Sequence, residues 1–129
     1  MAVTVRLTDQ RAHELATIME RCERTAVWTA TQALLAAAHA HTSHPRPLAG
    51  YLGRQPSTCR VLIALRGDVL DIVDGLVAAH THEGQDPPSR HVIVRAALAY
   101  LVDTHGSAAA AAEHLGGYGA GELQGRGVA

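Results

Sequence analysis

The stretch that decides the fold is Val3-Thr4-Val5-Arg6-Leu7, and it is followed at once by Thr8-Asp9. Apolar and polar residues alternate along these five positions, a period of two that is typical of a strand with one buried and one exposed face. Thr8 is a favourable N-cap for a helix, and the carboxylate of Asp9 suits the positive end of a helix dipole. Because a single amphipathic strand cannot bury its apolar face alone, the sequence predicts a second strand that pairs with it.

Length and composition limit the possible classes of protein. The chain has 129 residues and is 47% hydrophobic but only 3% aromatic, so it fits one domain, or two very small ones, with a core of Ala, Val and Leu. Its two cysteines, Cys22 and Cys59, form neither a disulfide framework nor a zinc pattern, which favours a reducing compartment. Without a signal segment or a membrane-length apolar run, we expect a soluble cytoplasmic protein.

The charge of the chain is unevenly distributed. The formal net charge of −1 does not by itself indicate a nucleic-acid binder. However, residues 1–60 hold seven arginines and four acids, a balance of +3, whereas residues 61–129 hold four arginines and eight acids, a balance of −4. We therefore expect a polyanion to prefer the first half of the chain.

The first half continues as two predicted helices. Apolar positions recur at helical spacing over Asp9–Cys22 and predict the first helix. Thr25 is a reasonable N-cap for a second helix that ends near His41. Since no Gly or Pro marks the break between them, one long helix over residues 9–41 is the alternative.

Residues 42–59 have the composition of a linker, with three prolines and two glycines among polar residues. Fully extended, a segment of this length spans roughly 60 Å, which is enough to cross a small domain. The sequence therefore predicts two copies of one unit, residues 1–41 and residues 60–105, on either side of this linker.

The strand and helix pattern of the first copy returns after the linker. Val61, Ile63 and Leu65 recur at every second position, as the apolar residues of the opening strand do, and Gly67-Asp68 begin an amphipathic helix. A shift of 58 residues places Val3, Val5, Leu7, Ala12, Leu15, Ile18 and Met19 on Val61, Ile63, Leu65, Leu70, Val73, Leu76 and Val77. Seven apolar matches at one offset indicate an internal repeat.

The end of the second copy is marked by capping residues. After a loop over residues 81–88, Ser89 caps a predicted helix that stops at His105-Gly106. Residues 106–129 are rich in Ala and Gly, and they predict a flexible tail with room for a short helix over residues 107–115.

A strand followed by two helices, repeated in one chain, resembles the ribbon-helix-helix family of DNA-binding proteins. The second copy is the closer match, through residues 60–65, residues 67–77 and the segment Ser89-Arg90-His91-Val92-Ile93; the first matches through Thr4-Val5-Arg6-Leu7-Thr8 and its first helix. The resemblance implies a mainly α fold with a short antiparallel β-ribbon, in which the two β-α-α copies pair within one chain as a pseudo-dimer. A homodimer that pairs like strands of two chains is the alternative.

The resemblance also implies which residues form the binding site. In this family the outer face of the ribbon reads base edges in the major groove, and the start of each second helix faces a phosphate. The implied base-reading residues are Thr4, Arg6, Arg60, Leu62 and Ala64, and the implied phosphate contacts are Arg24, Thr25, Ser89 and Arg90. Leu62 and Ala64 depart from the pattern because they offer only apolar contact to a thymine methyl, so Arg6 is the main candidate to read a guanine.

The implied function is sequence-specific binding of double-stranded DNA, as in a transcriptional repressor that assembles further on its operator. Alternatives are a plasmid partition or conjugation accessory, an antitoxin of the same fold, or a helical dimerisation module that does not bind DNA. No cofactor, metal or small-molecule ligand is expected. The histidines near residues 39–44 and 80–82 lack the helical spacing of ligand pairs, and no catalytic motif points to an enzyme.

Overall fold

The computed structural model describes residues 1–123 of the chain, and the side chains of residues 1–116. The fold is mainly helical, with a short antiparallel sheet of two strands. In chain order the elements are β1 (Ala2–Leu7), α1 (Asp9–Cys22), α2 (Ala26–His41), a 3-10 turn (Ala49–Tyr51), β2 (Cys59–Ala64), α3 (Gly67–Ala79), α4 (Arg90–His105) and α5 (Ala108–Leu123).

The first two helices begin at the caps that the sequence predicts. The hydroxyl oxygen of Thr8 accepts the backbone N–H of Arg11 at 3.1 Å, and that of Thr25 accepts the N–H of Trp28 at 3.1 Å. Between the helices, Glu23 adopts the left-handed conformation with φ of 53°, which ends α1. The predicted break is confirmed, and the alternative of one helix over residues 9–41 is wrong.

The two strands of this chain pair with each other. Their antiparallel register places Val3 opposite Ile63, Thr4 opposite Leu62 and Val5 opposite Val61. One face of this ribbon supplies the core, because its apolar side chains are buried or half-buried against the helices. The partner that the opening stretch requires is therefore provided by the same chain, as the sequence predicts.

The core beneath the ribbon is built from small and branched apolar residues. Helices α2 and α4 contact each other, and both also contact the ribbon. Their buried residues include Ala33, Leu34, Ile93 and Ala97, all of them fully inaccessible to solvent. Alanines at such contacts allow two helix backbones to approach closely, so a chain without phenylalanine still closes its interior.

The segment between α2 and β2 packs against the rest of the fold. The side chain of Leu48 is fully buried, and its backbone N–H donates to Nε2 of His80 at 2.9 Å. On the other side of that ring, Nδ1 lies 2.8 Å from the carbonyl oxygen of Leu76. The guanidinium of Arg95 donates to the carbonyl oxygen of Gly53 at 2.7 Å. β2 begins at Cys59, the last residue assigned to the linker from the sequence.

The segment that follows α4 contains the short helix that the sequence allows over residues 107–115, and this helix, α5, is longer than expected because it spans Ala108–Leu123. Gly106, at φ of 88°, ends α4, and the hydroxyl of Ser107 then accepts the N–H of Ala110 at 3.0 Å to start α5. This helix contacts α1 and buries Ala111, Ala112 and Leu115. Alanine is the strongest helix former, and the buried face explains the order of this segment. The part of the expected tail over residues 124–129 lies outside the described residues.

Within residues 1–123, none of the helices combines the length and the hydropathy that crossing a membrane requires.

Candidate nucleic-acid interface

The outer face of the ribbon collects the five residues that the sequence analysis assigned to base reading. Their side chains alternate with the buried positions of β1 and β2, so all of them point away from the core into solvent. Leu62 is 69% exposed, which is unusual for a side chain of its size. The exposed face consists of Ala2, Thr4, Arg6, Arg60, Leu62 and Ala64. Ala2 was missed from the sequence, although one more step of the same alternation from Thr4 reaches it.

The backbone pairing brings the outward side chains close together across the ribbon. Met1 and Leu65 exchange both backbone hydrogen bonds, at 2.7 and 3.0 Å. Hydrogen-bonded pairs, which are wide, alternate along an antiparallel ladder with non-hydrogen-bonded pairs, which are narrow. Met1–Leu65 is a wide pair, so the narrow pairs begin with its neighbour and recur at every second position after that. These narrow pairs are Ala2–Ala64, Thr4–Leu62 and Arg6–Arg60. Side chains in such pairs have their Cβ atoms only about 4.5–5.5 Å apart.

Arg6 and Arg60 therefore face each other directly, two positive charges side by side on an exposed surface. Like charges in this position destabilise a sheet unless something compensates them. Among the described residues, neither guanidinium forms a hydrogen bond or an ion pair. The acid at this end of the ribbon, Asp9, instead accepts hydrogen bonds from Thr58 and Cys59, and these bonds lower its pKa. The arginine pair is thus available to an external acceptor or anion.

The start of α2 holds the first two residues predicted to contact phosphate. The hydroxyl of Thr25 is engaged as the helix cap, and the guanidinium of Arg24 lies 5.3 Å from the centroid of the Trp28 ring. A cation over an aromatic face keeps its charge while its side chain is oriented. Arg24 is therefore an ordered, half-buried cation at the start of this helix.

The start of α4 is arranged differently. Ser89 precedes the helix but makes no capping hydrogen bond, and its hydroxyl lies 3.3 Å from Nε2 of His91 instead. The first N–H groups of α4 consequently lack the side-chain acceptor that Thr25 gives α2. A helix start with free N–H groups is a favourable place for an anion.

Arg90 forms an ion pair that its sequence neighbours do not predict. Its Nε and Nη2 atoms donate to the two carboxylate oxygens of Asp74 at 2.8 and 3.0 Å, and this contact lowers the pKa of Asp74. Its Nη1 atom lies 2.8 Å from the sulfur of Met1. The contact with Met1 places the start of α4 at the Ala2–Ala64 end of the ribbon. Because Asp74 and Arg90 are 16 residues apart across a loop, no local pattern reveals the pair.

Histidines gather at a second location, near the carboxyl ends of α2 and α4. An open cleft of about 510 Å³ there is lined in part by His39, His44, His105 and His114. The rings of His105 and His114 stack with their centroids 4.5 Å apart, and burial followed by the charge of His114 lowers the pKa of His105. Among the described side chains, no group of three or more His, Cys, Asp or Glu residues is placed to hold a metal ion.

No family model, curated protein or solved structure matches this chain. The function is accordingly inferred from the ribbon face and the helix ends that flank it.

Proposed function

We propose that this protein is a tandem ribbon-helix-helix protein that binds double-stranded DNA sequence-specifically, with the outer face of its ribbon in the major groove. The observation that carries the proposal is the exposed pair of Arg6 and Arg60, which lie opposite each other. Neither forms a hydrogen bond or an ion pair with the residues that the structure describes. The element order supports it, since β-α-α occurs twice and the two strands form one ribbon.

The dimensions of the ribbon fit the groove. Six residues per strand at about 3.3 Å per residue give a ribbon roughly 20 Å long, and the major groove of about 12 Å width admits two paired strands. The chemistry of the face fits as well. Arginine is the side chain that most often contacts guanine, the hydroxyl of Thr4 suits several bases, and Leu62 suits a thymine methyl.

The flanking helix ends supply the complementary contacts to the DNA backbone. The free N–H groups at the start of α4 attract a phosphate, and Arg24 carries a positive charge at the start of α2. Arg90 would contribute less net charge than the sequence suggests, because Asp74 neutralises it. Charges at these helix starts position the protein on the duplex, while the ribbon determines which sequence it prefers.

A repressor is the simplest role for such a module, since a small DNA-binding protein that occupies a promoter keeps RNA polymerase from binding there. Partition or conjugation accessories and antitoxins of the same fold would use the same face. The second candidate is a module that associates through its ribbon without binding DNA. The 69% exposure of Leu62, at the centre of the face, is the observation that favours it.

Selection of bound duplexes from a random pool, followed by anisotropy titration of the selected site, tests the proposal. We expect binding that weakens steeply with added salt, because phosphate contacts release counterions. Arg6→Ala should reduce discrimination by about 1–3 kcal/mol at the guanine it reads. The matched control is Arg46→Ala, which removes the same charge away from the outer face. The guanidinium of Arg46 lies beside His80 and His82, which follow the carboxyl end of α3. Unchanged site preference in Arg6→Ala, or no selected sequence at all, would contradict the proposal.

A further inference from the structure

We infer that the ribbon is directional: it recognises an asymmetric DNA site, with guanine contacts at one end only, and binds that site in one orientation. The inference rests on the proposed function of the ribbon and adds what kind of sequence the face selects. It follows from where the two arginines lie relative to the internal twofold symmetry of the fold.

The internal symmetry of the ribbon is defined by two independent observations. The sequence repeat relates the copies by a shift of 58 residues, so Thr4 corresponds to Leu62. The antiparallel register also places Thr4 opposite Leu62. A residue that faces its own equivalent must lie on the pseudo-twofold axis, so this axis passes through the centre of the outer face.

The arginines break that symmetry. The shift of 58 residues relates Arg6 to Ala64 and relates Ala2 to Arg60. In a symmetric ribbon, identical side chains would occupy opposite ends. Here the register instead places Arg6 opposite Arg60 at one end and Ala2 opposite Ala64 at the other. Both guanidinium groups of the outer face are thus concentrated on one side of the axis.

Each end of the ribbon can recognise only one kind of base edge. A guanidinium donates two hydrogen bonds to O6 and N7 of a guanine. The Cβ atoms of Arg6 and Arg60 are only about 4.5–5.5 Å apart, so both guanidiniums serve the same end of the site. Ala2 and Ala64 have no hydrogen-bonding group, and a methyl side chain offers only apolar contact to a thymine methyl. The expected site therefore carries guanines beneath Arg6 and Arg60 and tolerates A·T pairs beneath the alanines.

The helix ends reinforce the direction. The start of α4, with its free N–H groups, lies beside Met1 and hence at the alanine end. The alanine end of the ribbon therefore has no side chain that hydrogen-bonds to bases, but it lies beside helix N–H groups that attract an anion. A phosphate contact, and not a base contact, holds this end on the DNA. Reversing the protein on its site would remove the guanines from the arginines, and this penalty fixes the orientation.

Selection from a random pool by the native protein and by the double variant Arg60→Ala/Ala64→Arg is the decisive experiment. The double variant keeps the charge of the face but gives each end one arginine at equivalent positions. We expect an asymmetric selected site for the native protein and an inverted repeat for the variant. In titrations, a duplex that repeats the alanine half on both sides should bind the native protein roughly tenfold or more weakly than the native site.

The possible results separate the two proposals. If the native protein selects an inverted repeat, the directional ribbon is wrong while DNA binding stands. If it selects no sequence and binds all duplexes weakly, the proposed function itself fails. Far-UV circular dichroism checks that the double variant folds, which is expected because both positions are exposed. Should it not fold, guanine-specific methylation interference on the native complex gives the same decision: interference at one end supports the inference, and interference at both ends overturns it.

Discussion

Single replacements of two neighbours in β2, Ile63 and Leu62, test which face of the ribbon is buried. Ile63 is fully buried in the core, whereas Leu62 is 69% exposed on the outer face. We expect Ile63→Ala to lower the free energy of unfolding by about 2–5 kcal/mol, because it removes buried carbon atoms and leaves a cavity. Leu62→Ala should change it by no more than about 0.5 kcal/mol, as is usual for exposed positions.

The size of the difference makes the assay straightforward. Domains of this size are stable by roughly 5–15 kcal/mol, so the Ile63 variant should lose a large fraction of its stability. Urea unfolding followed by circular dichroism measures both variants, and an unchanged m-value shows that the unfolded states are comparable. Ile63→Val, with an expected cost of about 0.5–1.5 kcal/mol, gives an intermediate point.

Equal costs at the two positions, or a larger cost at Leu62, would refute this reasoning. A shift of register by one residue exchanges the faces of a strand, and such a result would mean that β2 is paired differently. The assignment of Arg60 to the outer face would then be wrong as well, since it shares the parity of Leu62.

Three further predictions concern other parts of the molecule. His80 is 2% exposed, and burial lowers its pKa. Its contribution to stability is therefore complete above the ordinary pKa of 6.5 and declines as the pH falls below 6.5, because the unfolded chain takes up a proton first. In urea unfolding, the free energy of unfolding should fall less between pH 7.5 and pH 5.0 for His80→Gln than for the native protein. Asp74→Asn should tighten binding to all duplexes severalfold and steepen its salt dependence, because it releases the charge of Arg90; an unchanged salt slope in anisotropy titrations would contradict this. Leu115→Ala should destabilise the protein by about 2–5 kcal/mol in thermal unfolding, since this side chain is buried, whereas a tail that does not pack would tolerate the change.

The sequence predicts those features that local chemistry determines. The alternation around Thr4 and Arg6 correctly gives the two faces of β1, and Thr25 correctly gives the start of α2. The repeat also predicts that each strand needs a partner strand, although the sequence leaves pairing between two chains as an alternative to the pairing of β1 with β2.

Features that depend on distant contacts were not predictable in the same way. Nothing near Asp74 in the sequence indicates Arg90, and nothing in the composition of residues 106–129 indicates which face of α5 is buried against α1. The short helix allowed over residues 107–115 is confirmed, with Ala111 and Ala112 buried in it, but the glycines after Leu115 gave no sign that the helix continues to Leu123. The assignment of the outer face to DNA stays a prediction that binding experiments decide.

The segment that contains Leu48 and Gly53 joins the two strands of the ribbon into one chain. This connection affects how the ribbon forms and how its two ends can evolve. Because both strands belong to one chain, the ribbon forms in a unimolecular step, and its population does not fall when the protein becomes scarce. In a homodimer every substitution is present twice, at both ends of the outer face. Here a single mutation alters one end and leaves the other intact, so each half of the face is free to specialise separately.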